Sequence, residues 1–207
     1  MDIVKHLRRR AVTWAAAGAA AVAAASALSL TAASAAPVTT ASAERPFTFA
    51  LVPSPGIASC LPHAHGVVTI IPGSQNDLMN VTITGMPKHA EFDLFVIQQP
   101  NKPFGVSWYQ TDVDANGNGV GHASVRGIFD RETFSVSPGG TTTFAPTHQF
   151  HLGLWFNDPS LPFKLGCEPG QASPVVTPFN GEQHAGIQVL NTGEFPDNNG
   201  PLRHVHR

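Results

Sequence analysis

From Pro46 onward the chain alternates short apolar runs with clusters of turn-forming residues. PFTFALV, GVVTII, LMNVTIT, EFDLFVIQ, VSWYQT, VGHASVRGIF, ETFSV, HQFHLGLWF and AGIQVLN each have strand length. GSQN, GMPKH, QPNKPFG, DANGNG, SPGG, NDPS and FNGEQ fall between them as turns, and no window carries helical periodicity. The period of two assigns faces. In LMNVTIT, Met79, Val81 and Ile83 point to a core and Asn80, Thr82 and Thr84 to water. HQFHLGLWF sets Phe150, Leu152, Leu154 and Phe156 against Gln149, His151, Gly153 and Trp155. EFDLFVIQ is apolar on both faces, which predicts a central strand and leaves Asp93 in need of a partner.

The expected fold is all-β: an antiparallel β-sandwich, immunoglobulin-like or jelly-roll, over residues 46–195. PDNNGPLRHVHR (196–207) lacks apolar periodicity and reads as a tail. At the other end a basic MDIVKHLRRR is followed by an alanine-dominated apolar run ending in Ala33-Ser34-Ala35. That is the pattern of a helical signal peptide, residues 1–35, followed by a small, polar and flexible leader over 36–45. An uncleaved anchor fits less well, because alanine contributes little to bilayer insertion.

Cleavage changes the charge. Loss of Lys5, Arg8, Arg9 and Arg10 together with Asp2 turns 12 basic and 14 acidic residues into 8 and 13, near −5. A chain of that balance has no electrostatic footprint for nucleic acid or, after cleavage, for a membrane. Abundant Gly and Pro with little charge again favour a turn-rich β protein. Cys60 and Cys167, in an exported chain, are expected to form one disulfide.

Four patterns carry candidate chemistry. TDVDANGNGVG spaces Asp112, Asp114 and Asn116 like the first ligands of a calcium loop. The twelfth position is Ala123 and the flanks read as strands, so the tip of a hairpin fits better. His63 and His65 have the i, i+2 spacing that puts two imidazoles on one side of a strand. With His151 or His184 they make a candidate Cu or Zn site, against the plainer reading of local hydrogen bonding. Trp155 and Tyr109, if exposed together, offer a stacking surface for a carbohydrate; cover of Trp155 by the proline-rich stretch 159–178 is the competing expectation. Asp93, Asp130, Glu132, Glu168 and Glu182 allow carboxylate pairing of the glycosidase kind, a weak signal in any acidic surface. No G-x-S-x-G elbow supports nucleophilic hydrolysis.

EFDLFVIQQP, PFGVSWYQTDVDANGNG, FHLGLWFNDP and TPFNGEQHAGIQVLNT together resemble a group of small secreted proteins from actinobacteria and related soil bacteria. The resemblance spans most of residues 60–192, implies export and a β-rich domain, and brings no catalytic residue with it. The expectation is therefore a secreted, non-enzymatic binding or surface module for an extracellular ligand. A Cu/Zn-binding protein or metalloenzyme is the alternative.

Overall fold

A computed structural model describes residues 45–129, 136–137, 140–141, 150–178 and 184–205. The expected signal peptide, most of the leader, and Asp130, Glu132, Gln149 and Glu182 lie outside the described residues. The strands are β1 (Phe47–Pro53), β2 (His65–Ile71), β3 (Asp77–Thr84), β4 (Glu91–Ile97), β5 (Ser107–Asp114), β6 (Gly121–Gly127), β7 (Val136–Ser137), β8 (Gly140–Thr141), β9 (His151–Phe156) and β10 (Gln188–Asn191). The only α-helix among the described residues is α1 (Ser160–Lys164), flanked in sequence by two 3-10 turns, Ile57–Ser59 and Pro201–His204.

Eight strands form one antiparallel sheet in the order β5-β4-β9-β10-β1-β2-β3-β6, with β7 and β8 paired separately. β1 joins the two halves: Phe47 to Leu51 pair with β2, whereas Val52 and Pro53 pair with β10. The two outer strands, β5 and β6, are consecutive in the chain and meet at one bridge, Ala115 with Gly121. The sheet is thus nearly closed, a geometry that leaves little free edge. All-β and antiparallel, as the periodicity predicts, it is described most simply as one sheet curling on itself.

The main core fills the inside of this curl. Met79, Val81 and Ile83 are buried, as their alternation predicts, and Phe92, Leu94, Leu152, Leu154 and Phe156 join them. A second, smaller apolar cluster of Phe95, Ile97, Trp155 and Ala185 packs on the opposite face of β4 and β9. That explains why β4 is apolar on both sides. Cys60 and Cys167 form the expected disulfide. Among the described residues no helix is long and apolar enough to cross a membrane.

The C-terminal stretch is not a free tail. Pro201, Leu202 and Val205 are buried, and the Leu202 N–H donates to the Phe150 carbonyl. The 3-10 turn ends at His204, and the Val205 N–H closes it by donating to the Leu202 carbonyl. A single turn of this kind shows neither the period of two of a strand nor the 3.6 of an α-helix.

Candidate functional site

The site grows from Trp155. It is opposite Asp93 of β4 on one side and Gln188 of β10 on the other. Beside it on the same face is Gly153, where a Cβ would collide with the Trp155 ring and lie 2.6 Å from Gln188 Nε2. Glycine here lets the indole lie down over the strand. Phe95 and Phe104 both meet that indole edge-on, at centroid distances of 5.4 and 5.0 Å, and Phe95 meets Tyr109 at 5.7 Å. The result is an aromatic series from Tyr109 through Phe95 and Trp155 to Phe104, in the geometry that ring quadrupoles favour.

Three other segments complete the surroundings. The loop between β4 and β5 supplies Asn101, Lys102 and Phe104; it is closed by Gln98, whose side-chain oxygen accepts the Val106 N–H at 3.0 Å. The end of β1 supplies Ser54. The segment after α1 supplies Cys167, Glu168 and Val175, and the disulfide to Cys60 pins it down. Between them lies a cavity of about 510 Å³. A second cavity of about 460 Å³ shares Phe104, Trp155 and Thr177 with the first and is lined mainly by apolar residues.

The polar atoms of the first cavity decide its chemistry. Gln188 Oε1 accepts hydrogen bonds from Ser54 Oγ at 2.9 Å and Asn191 Nδ2 at 3.0 Å, which fixes the amide and turns Nε2 away from them. Asn191 also donates to the Pro100 carbonyl, tying β10 to the β4–β5 loop. Glu168 Oε2 accepts the Val175 N–H at 2.8 Å. Gln188 Nε2, Glu168 Oε1 and Trp155 Nε1 are all buried and have no hydrogen-bond partner within the protein. A buried polar group left without a partner costs about 1–3 kcal/mol, and native folds carry only a few per hundred residues. Here three belong to residues around one cavity: two donors and one acceptor.

A second polar group lies one strand away. Asp93, only 2% exposed, accepts a bond from Asn157 Nδ2 at 3.1 Å through Oδ1, and its Oδ2 has no partner. Burial raises its pKa to about 6; the Asn157 bond opposes the shift, and Asp112 and Glu91 reinforce it. Tyr109 donates its hydroxyl to Asp112 Oδ1 at 2.8 Å, and its own pKa is pushed up to about 12 by burial and the Asp112 carboxylate. A register shift between Leu94 and Phe95 pairs Phe95 with Tyr109 and Asp93 with Asp112. This bulge brings residues 109 and 112 to one face, where strict alternation would separate them.

The residues expected to hold metal are not gathered. His63, His65 and His184 are exposed, whereas His151 is fully buried. Thr192 Oγ1 lies 2.8 Å from His151 Nδ1, and Nε2 donates to the Asp197 carbonyl at 3.1 Å, so both ring nitrogens are engaged. His151 is a structural residue; burial pushes its pKa down, and the Asp197 and Pro196 carbonyls work against that shift. Among the described residues no group of three or more His, Cys, Asp or Glu side chains is placed to hold an ion.

The stretch from Asp112 to Gly121 joins β5 to β6 as a hairpin. Asp112 and Asp114 lie on strand β5, and Asn116 Oδ1 is taken by the N–H groups of Asn118 and Val120 at the turn. Trp155, 3% exposed, offers no open stacking face, whereas Tyr109 is half exposed. Sequence reasoning missed Gln188 and Lys102 altogether and weighed Glu168 only as one acid among many. The signal for Gln188 was its place inside the apolar run AGIQVLN, where a buried amide demands partners. No protein-family model matches the chain, and no curated protein does so either.

Proposed function

We propose that this protein is a secreted binding module that takes a small organic ligand into the cavity bounded by Trp155, Glu168 and Gln188. The observation that carries the reading is a cavity of about 510 Å³ with mixed apolar and polar walls, three of whose lining residues, Trp155, Glu168 and Gln188, each hold a buried polar atom without a hydrogen-bond partner in the protein. Apolar walls with a few fixed polar groups are the usual make-up of a small-molecule site. Two of those groups are held in place by the fold: Gln188 by Ser54 and Asn191, Glu168 by the Val175 backbone. Pre-positioned groups lower the entropic cost of binding.

Export rests on the signal-like first 35 residues, on the resemblance to secreted actinobacterial proteins, and on the disulfide, a bond that persists in oxidising surroundings. The two halves of the sheet, β6-β3-β2-β1 and β5-β4-β9-β10, are read as the layers of a sandwich that β1 crosses.

The test is a ligand screen followed by ¹H–¹⁵N NMR on the chain from Ala36. That chain has two indole N–H signals, from Trp108 and Trp155. Trp108 packs against the main core and serves as the control. A ligand of the cavity moves the Trp155 signal and leaves that of Trp108 in place. If no member of a chemically diverse screen does so, the reading fails.

A further inference from the structure

We infer that Asn116 is a self-modification site: the turn between β5 and β6 sets its side-chain amide to close on the Gly117 nitrogen, giving a cyclic imide that water opens to aspartate or isoaspartate. This is independent of the cavity and of any ligand. The closure needs a polarised carbonyl, a backbone nitrogen free to attack it, and stabilisation of the negative charge that its oxygen takes up. DANGNG holds two candidate pairs, Asn116-Gly117 and Asn118-Gly119, and the fold treats them differently. Asn116 Oδ1 accepts the Asn118 N–H at 2.8 Å and the Val120 N–H at 3.2 Å. Two N–H donors on one carbonyl oxygen polarise it and stabilise the charge of the tetrahedral intermediate, as in an oxyanion hole. The frame around them is fixed, since the Asn116 N–H donates to the Val120 carbonyl at 2.8 Å and Ala115 pairs with Gly121. The Gly117 N–H has no acceptor among the described residues, and Asn116 is exposed, so the leaving group departs into water.

At Asn118 the arrangement is reversed. The nitrogen that would attack it, Gly119 N, is buried and donates to the Asn116 carbonyl at 3.0 Å. No N–H donates to the Asn118 side-chain oxygen among the described residues. The chemistry at Asn116 balances without an outside reagent other than water. The bond from Gly117 N to Asn116 Cγ forms, the Cγ–Nδ2 bond breaks, and the Gly117 N–H proton leaves with Nδ2 as ammonia. Water then adds to one of the two imide carbonyls and breaks its bond to nitrogen. The new carboxylate joins Asp112 and Asp114 in the same hairpin.

The experiment incubates the disulfide-bonded chain from Ala36 at mildly alkaline pH, folded in buffer and, in parallel, unfolded in guanidinium chloride. Peptide mass spectrometry with enzymatic isoaspartate labelling then reads the conversion at each asparagine over time. In the unfolded chain both sites are plain Asn-Gly pairs and convert at similar rates. In the folded chain Asn116 is expected to convert about tenfold or more faster than Asn118. Gly117→Ala supplies the second arm. Gly117 has no positive φ, and a methyl there meets the His89 ring at 3.5 Å, an ordinary contact, so the turn is kept while the attack is hindered. Conversion at Asn116 is expected to slow severalfold in that variant. Asn118 converting level with or ahead of Asn116 in the folded chain overturns the inference. So does a folded chain intact at both sites while the unfolded one converts, or a Gly117→Ala variant that converts at the wild-type rate.

Discussion

Asp93 and Asp112 are directly opposite each other in the register of β4 and β5, and Asp93 is the buried member of the pair. Its pKa, raised to about 6 chiefly by burial, means that the folded state holds a proton the unfolded chain releases near 3.8. The folded protein therefore binds more protons between those values, and stability falls as pH rises from about 4 to about 6. Asp93→Asn keeps the acceptor for Asn157 and removes the charge. It is expected to match wild type near pH 4 and to exceed it above pH 6 by up to about 2 kcal/mol. Denaturation curves of both proteins across pH 4–8 read this directly; a gap that does not grow with pH contradicts it.

His151 works in the opposite sense. Burial lowers its pKa from 6.5, so below that value the unfolded chain takes up a proton that the folded state resists. Its contribution is present above about pH 6.5 and is lost as pH falls. His151→Ala removes two hydrogen bonds and leaves a cavity, at a cost of about 2–4 kcal/mol at pH 7.5. The deficit is expected to narrow toward pH 5, where wild type bears the penalty and the variant does not. A deficit constant across that range contradicts this account of the buried imidazole.

Gly153→Ala tests the seat of the indole. The added methyl would overlap the Trp155 ring and Gln188 Nε2, so one of them has to shift. A loss of about 1–3 kcal/mol is expected, together with a shifted Trp155 fluorescence maximum. Unchanged stability and emission would mean that the ring does not rest on that strand.

The disulfide closes a loop of 107 residues. Replacing both cysteines with alanine is expected to cost about 4–5 kcal/mol in the chain-entropy picture. Because Cys167 lines the cavity beside Glu168, ligand affinity is expected to fall as well. Equilibrium denaturation and calorimetry on the double variant measure both; lost stability with unchanged affinity would show that the bond does not shape the cavity wall.

Most strands were legible because a half-buried strand shows its period of two: β3 is found within a residue from Met79, Val81 and Ile83 alone. β4 betrayed its central place by being apolar on both sides, and the second cluster around Phe95 and Trp155 supplies the reason. The candidate site was legible only in fragments. Trp155 stood out, yet Glu168 and Gln188 reach it through a cross-strand pairing and a disulfide-pinned segment that no local pattern encodes. The bulge that brings Tyr109 beside Asp112 breaks the very alternation used to assign faces. His63 and His65 have metal-like spacing and are not gathered with a third ligand among the described residues, since spacing on one strand says nothing of what the fold brings opposite.

The most direct measurement is a crystal structure of the chain from Ala36 grown with a small ligand that moves the Trp155 indole signal. Ligand atoms seated in the cavity lined by Trp155, Glu168 and Gln188 are the predicted result. Water alone in that cavity at saturating ligand, with the ligand bound elsewhere, would contradict the account.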